Sequence, residues 1–496
     1  MAAAPAAAVL TPHDVSPSLL RRAIAASAVG NAVEWFDYGI YAYGTAYIAG
    51  ALFPAHATQA MIFTLLGFAV SFLMRPIGGL VWGPLGDKIG RKKVLATTIL
   101  LMAAATFCIG LLPSYSMIGI WAPVLLYTLR VVQGFSTGGE YGGAATFMAE
   151  YAPDERRGFF GSFLEVGTLA GFNGGALLML LMIGITNEQQ MLEWGWRVPF
   201  LVAGPLGIVG LYLRSKMEDT PVFTEMAEAE NTASGRETLA ELFRSFMGPL
   251  LKLGGLVIAV NVINYTLLSY TPTYLTQVID LSDEHALLVP IVGQFVMMVL
   301  LPFAGALSDR VGRKPLWAAS LVGTAVLAVP LYMLMGSGFT GAMIAFTVLG
   351  LLYIPQLATI SATFPAMFPT HVRYAGLALG YNVSTSLFGG TAGLLNQWLI
   401  EKTGNTMWPA YYMVAACIVG LIALRFTIET KGVSLRGSHV PGTPEALQEQ
   451  AELAGGSTGT ASGAVTRDGS GLPAGSSQRT RGQRPGRPIR NRRPQR

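Results

Sequence analysis

Twelve apolar runs, each long enough for a membrane-crossing helix, are spread along this chain of 496 residues. A helix rises about 1.5 Å per residue, so about 20 mainly apolar residues are needed to cross a hydrocarbon core of about 30 Å. Charged residues make up only 12% of the chain, against roughly 25% in soluble domains, which excludes a soluble fold of this size. The sequence therefore predicts an all-α membrane protein with twelve transmembrane helices, at 23–49, 61–82, 94–113, 120–148, 158–185, 196–213, 250–276, 286–307, 315–334, 342–364, 374–400 and 409–428.

Basic residues between these runs fall almost entirely on one side of the membrane. The connections at 50–60, 114–119, 186–195, 277–286, 335–341 and 401–408 together contain one basic residue, Lys402. The opposite connections are rich in Lys and Arg, which is typical of cytoplasmic loops. We therefore expect a multi-pass protein of the cell (plasma) membrane with both termini in the cytoplasm.

A ten-residue pattern occurs once in each half of the chain. Residues 83–92 (GPLGDKIGRK) follow the second run, and residues 305–314 (GALSDRVGRK) follow the eighth. The repeat predicts two pseudo-symmetric six-helix bundles at 23–213 and 250–430. They are joined by a cytoplasmic loop at 214–249 and preceded by a cytoplasmic segment at 1–22.

The repeated loops combine glycines, which permit a tight turn, with an Asp that can accept from helix amides or an arginine. We expect them to latch one conformation of the protein. The gating residues predicted in this way are Gly83, Asp87, Gly90, Arg91, Gly305, Asp309, Gly312 and Arg313.

The last part of the chain, 431–496, is rich in Gly, Pro, Ser and Arg, and we expect it to be a disordered cytoplasmic tail. Eight arginines without an acid crowd into 479–496 and account for the net charge of +5. This charge therefore does not indicate a nucleic-acid partner. Contact with anionic lipid headgroups and a solvated tail without function are equal alternatives.

Deep ionisable side chains are concentrated in the first bundle. Glu34 and Asp37 lie in the first run, Arg130 and Glu140 in the fourth, and Glu165 in the fifth. A charge at the bilayer centre costs about 2.5–3.5 kcal/mol on insertion scales, so a carboxylate without a partner there is more stable with a proton. Four carboxylates and one arginine therefore indicate proton handling, with Glu34 and Asp37 near the midplane as the favoured pair. For Glu140 and Glu165, a structural bond between helices is an equal alternative.

Neutral polar residues take the place of charges in the second bundle, among them Asn261, Asn264, Gln294 and Asn382. Arg75 precedes Pro76 near the cytoplasmic end of the second run, where we expect it to snorkel to the interface or to brace the loop at Asp87. Arg130 is then the only deep cation. It is expected to pair with an acid of the first run or with a substrate carboxylate.

Several of these stretches resemble the signatures of one transporter family. The loops at 83–92 and 305–314 resemble the signature of the major facilitator superfamily. Residues 130–140 (RVVQGFSTGGE) and 30–38 (GNAVEWFDY) resemble the fourth and first helices of its metabolite:proton symporter family. The resemblance covers residues 20–432 and implies a secondary transporter. Such a protein moves a small molecule and protons through a site between its bundles by alternating access.

Further stretches, at 108–115, 138–141, 150–154 and 364–371, resemble members of that family that carry proline and glycine betaine. The resemblance implies proton-coupled import of small zwitterionic osmolytes, and a single deep cation favours a zwitterion over an anion. Import of an organic acid, such as a dicarboxylate or a shikimate-like acid, is the alternative, and drug efflux is a weaker one. Those members end in a heptad-patterned coiled coil linked to osmotic tuning. Here 444–454 offers at most a short helix, so the osmosensing device is not implied.

The bulky cation of a betaine-type substrate suits aromatic faces, which crowd the midplane of the first run. Plain packing is the alternative for any single aromatic residue. The candidate substrate-binding residues are Asn31, Trp35, Tyr38, Tyr41, Gln133, Asn261, Asn264, Tyr265, Gln294 and Asn382.

An enzyme embedded in the membrane would need a nucleophile or a metal cluster. The five histidines, His13, His56, His285, His371 and His439, all fall in predicted tails or loops, without the spacing of a metal site. We therefore expect no enzymatic activity, no metal, no cofactor and no required partner protein.

Overall fold

The computed structural model describes residues 17–54, 59–89, 91–138, 140–215, 241–435 and 437–456. Within these ranges the chain forms twelve long helical stretches, α1–α12, and no β-strand. The first six are α1 (Pro17–Tyr43 and Thr45–Leu52), α2 (Ala60–Leu73 and Arg75–Ile89), α3 (Arg91–Gly110), α4 (Trp121–Thr137 and Glu140–Tyr151), α5 (Arg157–Ile185) and α6 (Arg197–Ser215). The second six are α7 (Met247–Asn264, Tyr265–Tyr270 and Thr271–Gln277), α8 (Asp283–Val311), α9 (Arg313–Met335), α10 (Phe339–Thr363), α11 (Thr370–Ser384, Thr385–Gly389 and Ala392–Thr403) and α12 (Trp408–Arg425).

Each predicted apolar run overlaps one of these twelve helices. In the described part of the chain, eight helical stretches are long and apolar enough to cross a bilayer by length and composition alone. The other four are α1, α3, α4 and α11. Of these, α3 qualifies only as the shorter apolar stretch Ala96–Gly110, and α1, α4 and α11 are divided or carry polar groups. Helices α1 and α4 each carry candidate site residues, among them Glu34, Asp37 and Arg130.

The two halves repeat one packing scheme. In the first half, α1 packs on α5 and α6, α3 on α4 and α6, and α2 on α4. In the second half, α7 packs in the same way on α11 and α12, α9 on α10 and α12, and α8 on α10. The matching neighbours confirm two pseudo-symmetric bundles of six helices. The bundles meet mainly where α5 lies against α8 and where α2 lies against α11.

Glycines bring α2 and α4 into backbone contact. A Cβ atom on Gly134 would overlap the backbone oxygen of Ser71, and one on Gly138 would overlap that of Arg75. Small residues spaced by four allow this approach of membrane helices. The first section of α2 ends at Leu73, and the second begins at Arg75 beside Gly138. This packing places Arg75 inside the first bundle.

Two helices of the second bundle contain π-helical segments. Tyr265–Tyr270 interrupts α7 shortly before Pro272, and Thr385–Gly389 interrupts α11. Proline lacks the backbone N–H that a regular helix requires, and π segments are frequent at functional sites. The first of them begins at Tyr265, which faces the other bundle.

The segment that follows α12 differs from its prediction. Residues 431–435 lie against both bundles, and Leu435 is buried. The prediction of a disordered tail beginning at 431 is wrong for this segment, because its backbone carbonyls accept hydrogen bonds from Arg157 and Arg373. A helix, Pro444–Gly456, follows it. The predicted loop at 214–249 lies largely outside the described residues, as do 1–16 and 457–496, so the remaining boundaries stay predictions.

Candidate functional site

An aromatic cluster lies where α1 and α2 meet α7. The ring centroids of Tyr38 and Phe72 are 5.0 Å apart, and those of Phe72 and Tyr265 are also 5.0 Å apart. Trp35 extends the cluster, 6.2 Å from Tyr265, and Phe68 closes its other side. All five rings are buried. The cluster therefore joins the two bundles at a point where cations could lie against aromatic faces.

Arg75 lies within this aromatic cluster. Its guanidinium carbon is 4.2 Å from the centroid of the Phe72 ring and 4.7 Å from that of Tyr38. Its Nη2 atom is 4.0 Å from Oε1 of Glu34, and the side chain is 1% exposed. The prediction that Arg75 snorkels to the interface is wrong, because the contact of α2 with α4 draws it inward. Its Nε and Nη2 atoms have no hydrogen-bond partner among the described residues.

A chain of hydrogen bonds connects Asp37 to Arg130 across three helices. The Thr106 hydroxyl, on α3, lies 3.0 Å from Oδ2 of Asp37 and donates to it. Nε2 of Gln133 donates to the same hydroxyl at 2.9 Å, and Oε1 of Gln133 accepts from Nη1 of Arg130 at 2.5 Å. The carboxylate and the guanidinium are thus coupled through Thr106 and Gln133 rather than by direct contact. Thr106 was missed by the sequence reasoning, because a threonine on an apolar helix carries no signal of its own.

Among the described residues, the contacts that hold Arg130 come from the first bundle. Its Nε atom donates to the Gly67 backbone oxygen at 3.2 Å, and its guanidinium carbon lies 4.0 Å from the centroid of the Tyr41 ring. The Tyr41 hydroxyl in turn donates to the backbone oxygen of Thr64 at 2.8 Å. Nη2 of Arg130 has no hydrogen-bond partner within the described part of the chain.

Asn31 ties α1 to α5. Its amide nitrogen donates to the Leu164 backbone oxygen at 2.8 Å and to the Thr168 hydroxyl at 2.7 Å, while its oxygen accepts from the Trp35 indole at 3.1 Å. Thr168 also donates to Oε2 of Glu165 at 2.8 Å. The amide of Asn31 is therefore engaged within the protein, and Glu165 belongs to the same contact between helices.

The four neutral polar candidates of the second bundle have different surroundings. Asn261 donates to Val257 of its own helix at 2.9 Å, and Asn264 accepts from Tyr353 at 3.2 Å. Gln294 and Asn382 instead reach the first bundle: Gln294 donates to the Tyr43 hydroxyl and Asn382 donates to the Gly138 backbone oxygen, each at 2.8 Å. The Tyr265 hydroxyl, buried in the cluster, has no partner among the described residues.

Two small cavities lie beside the aromatic cluster, along α1. One leaves about 10 Å³ open to water and is lined by Ala42, Thr45, Phe68, Tyr265, Ser269 and Gly393, among others. The other leaves about 20 Å³, shares Ala42 and Thr45, and extends to Tyr47 and Asp283. The Tyr47 hydroxyl donates to Asp283 at 2.5 Å between α1 and α8. These volumes have room for about one water molecule each.

A family model described as Major Facilitator Superfamily matches residues 28–394. This chain belongs to the major facilitator superfamily. The proline/betaine transporter of Escherichia coli (strain K12) is 44% identical over 449 residues, which cover 88% of each chain. The glycine betaine/proline/ectoine/pipecolic acid transporter of Dickeya dadantii (strain 3937) is 44% identical over 450 residues, again 88% of each chain.

The solved structure of the proton:xylose symporter XylE, bound to 6-bromo-6-deoxy-D-glucose, shares this fold. Its TM-score is 0.66 at 16% identity, over 84% of this chain and 98% of that one. Membership in the major facilitator superfamily makes the protein a membrane transporter rather than an enzyme, as the sequence predicted.

The second of the repeated major facilitator loops closes one end of the contact between the bundles. Oδ1 and Oδ2 of Asp309 accept from the backbone nitrogens of Gly158 and Phe159, each at 2.8 Å, at the start of α5. Arg313 donates to Oδ1 of the same carboxylate at 2.7 Å. Gly312 has a φ of +110°, which favours glycine, and Gly305 contacts Gly158 so closely that no Cβ would fit.

The first of the repeated loops is described only in part. Gly83 and Asp87 lie in the second section of α2, Arg91 begins α3, and Gly90 lies outside the described residues. Glu140 begins the second section of α4. The side chains of Asp87, Arg91 and Glu140 also lie outside the described part, so their roles stay predictions.

An ion pair at the same end connects α4 to α11. Nη1 of Arg373 donates to Oε1 of Glu150 at 3.1 Å, and both side chains are largely buried. Burial raises the pKa of the Glu150 carboxyl above its ordinary value, although the nearby Arg373 guanidinium acts in the opposite direction. The pair is therefore lost at a higher pH than an exposed pair would be.

Proposed function

We propose that this protein imports small zwitterionic osmolytes, of the proline and glycine betaine type, together with protons. Its relatives at 44% identity, matched over 88% of each chain, are named as transporters of proline and betaine, and one also of ectoine and pipecolic acid. These molecules share a carboxylate and a cationic nitrogen within a small volume. A site for them needs a cation, an anion and apolar faces in close proximity.

The observation that carries the proposal is the Arg75–Glu34 pair within the aromatic cluster. The two charges are 4.0 Å apart and buried, so they present to a ligand both signs of charge at about the separation found in a zwitterion. Nε and Nη2 of Arg75 form no hydrogen bond within the described residues, so they are available to a carboxylate. Glu34 and the rings of Tyr38 and Tyr265 suit a quaternary or secondary ammonium group.

An organic acid is the alternative substrate. The sequence argued against it because Arg130 was the only deep cation, and the buried Arg75 removes that argument. Arg130 is not the only buried cation, since Arg75 is 1% exposed. However, Glu34 balances the charge of Arg75, so a dicarboxylate could occupy this pair only if Glu34 were protonated. The pair therefore favours zwitterions because it carries one positive and one negative charge, and not because the site has a single cation. Drug efflux has no support from the named relatives.

Glu34 and Asp37 are the residues that we propose to handle the proton. Asp37 is coupled to Arg130 through Thr106 and Gln133, so its charge is stabilised by a network within the first bundle. Glu34 lies beside Arg75, and the carboxylate of the substrate would compete with it for the Arg75 guanidinium. A substrate cation at Glu34 would keep that carboxylate ionised, so the proton that crosses with the substrate would be held by the other member of the pair, Asp37. Glu165 and Glu140 are proposed as secondary members of this group.

We place both termini in the cytoplasm of a cell-membrane protein, because basic residues are concentrated in the corresponding connections. The end with the Asp309 and Glu150 contacts is then the cytoplasmic end. Anionic lipids are the proposed partners of the arginines in 479–496, and no partner protein is required.

Uptake into proteoliposomes with an imposed inward proton gradient tests the function. Labelled proline, glycine betaine, ectoine and a dicarboxylate are compared, with Glu34→Gln, Asp37→Asn and the loop control Glu188→Gln. We expect the zwitterions to accumulate only with the gradient, and the first two variants to lose accumulation while the control keeps it. Accumulation of the dicarboxylate alone would refute the substrate class, and accumulation without a gradient would refute the coupling. If both amide variants concentrate substrate normally, the proton site lies elsewhere.

A further inference from the structure

The chain beyond α12 turns back across the end of the protein that carries the Asp309 contacts. We call residues 431–435 the strap. It begins on the second bundle: the carboxylate of Glu429 accepts from the backbone nitrogens of Arg313 and Lys314 at 3.0 and 2.9 Å. Nζ of Lys431 donates to the Arg310 backbone oxygen at 2.6 Å. The start of the strap is thus fixed to α8 and α9.

The strap then offers one carbonyl to each bundle. The Val433 backbone oxygen accepts from Nη1 of Arg157, on α5, at 3.0 Å. The Leu435 backbone oxygen accepts from Nη2 of Arg373 and from the Thr370 hydroxyl, both on α11. Arg157 and Arg373 occupy matching positions in the two halves. One short segment is therefore bound by the same residue type from both copies of the internal repeat.

A side chain reinforces these backbone contacts. Leu435 is 5% exposed and packs against Ala149 of α4 and Ala366, which precedes α11. Its apolar contacts thus also join the first bundle to the second. Because buried leucine contacts are lost when the surrounding surfaces separate, this residue favours the state in which the surfaces are together.

We propose that the strap is a clasp that holds the cytoplasmic ends of the two bundles together and must detach from the first bundle before the protein opens inward. Its bonds to Arg310, Thr370 and Arg373 belong to the second bundle, from which it extends, and persist when the bundles separate. Its contacts with Arg157 and Ala149 are lost. The strap therefore biases the equilibrium between states by the free energy of those contacts alone. The assignment of this end of the protein to the cytoplasm rests on the proposed membrane topology, whereas the contacts of the strap do not.

A cysteine reporter at the contact between the bundles tests the proposal in the full chain. Ser361 is buried on α10, and its Cβ lies against Gly161 of α5 at the contact between the bundles. In a background with Cys108→Ala and Cys417→Ala, Ser361→Cys is labelled with a membrane-impermeant maleimide in inside-out vesicles. We expect Leu435→Glu to raise the labelling rate about fivefold or more and Leu435→Ala to raise it less, since a buried leucine contact favours the closed state.

Leu447→Ala is the matched control, because Leu447 is 52% exposed on the following helix. Its labelling rate should equal that of the parent. Equal rates for Leu435→Glu and the parent, or the same increase in the control, would overturn the proposal. The labelling rates of the variant and the control are measured without substrate, so they test the strap even if the protein does not take up proline.

A crosslink gives a second readout that does not depend on the folding of Leu435→Glu. The pair Ala149→Cys and Leu435→Cys, in the same reporter background, should form a disulfide on oxidation that prevents labelling of Cys at 361. A reductant should restore the labelling. Rapid labelling of the oxidised protein would show that inward opening does not require release of the strap.

Discussion

Replacing Arg75 by Gln tests the proposed substrate contact most directly. The guanidinium is buried, and two of its nitrogens form no hydrogen bond in the described chain, so it can form a paired contact with a substrate carboxylate. A hydrogen bond to a charged group contributes about 1.5–3 kcal/mol, so the loss of two such bonds costs at least about 3 kcal/mol. At about 1.4 kcal/mol per factor of ten, the half-saturating concentration of glycine betaine should rise roughly 150-fold.

Arg75→Lys separates charge from geometry. Lysine keeps the positive charge but offers a point contact in place of the planar fork, so one hydrogen bond of about 1.5 kcal/mol should be lost. This variant is expected to raise the half-saturating concentration roughly tenfold. Uptake of labelled betaine at a range of concentrations, under a fixed proton gradient, measures both variants on one scale.

A control is needed because Arg75→Gln also removes the cation beside Glu34. The double variant Glu34→Gln with Arg75→Gln removes both charges and should recover folding, seen as a single symmetric peak in size-exclusion chromatography, without recovering affinity for betaine. If Arg75→Gln folds and its half-saturating concentration stays within twofold of the parent value, Arg75 does not bind the substrate carboxylate.

Three further substitutions test the network, the packing and the cytoplasmic ion pair. Thr106→Val removes the hydroxyl that links Asp37 to Gln133 and Arg130, so the pH dependence of betaine uptake should differ from that of the parent. Gly134→Ala forces α2 and α4 apart and should lower stability by about 1–3 kcal/mol, measured as the loss of the folded peak on heating. Glu150→Gln removes the charge that pairs with Arg373. Labelling of the Ser361→Cys reporter should rise as pH falls in the parent and stay high at every pH in this variant, because the ion pair exists only above the raised pKa of Glu150.

Each of these outcomes has a specific counterpart that would contradict it. An unchanged pH profile for Thr106→Val would separate Asp37 from proton coupling. Gly184→Ala is the control for Gly134→Ala, because no atom lies within 4 Å of a Cβ placed there, and equal destabilisation of the two would remove the packing argument. A pH-dependent labelling rate in Glu150→Gln would assign the pH response to another group.

The sequence was sufficient to predict the twelve helices, the two bundles and the family. Hydropathy, the distribution of basic residues and the repeat at 83–92 and 305–314 are one-dimensional signals, and each depends on properties of a single helix or loop. The burial of Arg75, in contrast, depends on how α2 packs against α4. Its position next to Pro76 indicated a helix end, whereas the contact of Gly138 with the backbone of Arg75 draws it into the bundle.

The strap was missed for a related reason. Residues 431–435 are part of a region rich in Gly, Ser and Arg, and such composition predicts disorder when considered alone. What orders the segment lies far away in the sequence: the guanidinium groups of Arg157 and Arg373 bind its carbonyls. Backbone acceptors leave no trace in the sequence, so only the structure could reveal this contact.

The unequal distribution of charge between the bundles has a mechanistic consequence. The charged groups of the site, Glu34, Asp37, Arg75 and Arg130, all belong to the first bundle. Beside the aromatic cluster, the described hydrogen bonds from Gln294 to Tyr43 and from Asn382 to the Gly138 oxygen cross between the bundles and are neutral, each worth only about 1 kcal/mol. The bond from Tyr47 to the Asp283 carboxylate lies at the second cavity. Separation of the bundles therefore leaves the charged network intact, so a proton bound at Asp37 can be carried from one side to the other without a change of partners. Closure at the cytoplasmic end relies on ionic contacts, so pH can act there as well, through the Glu150 carboxyl.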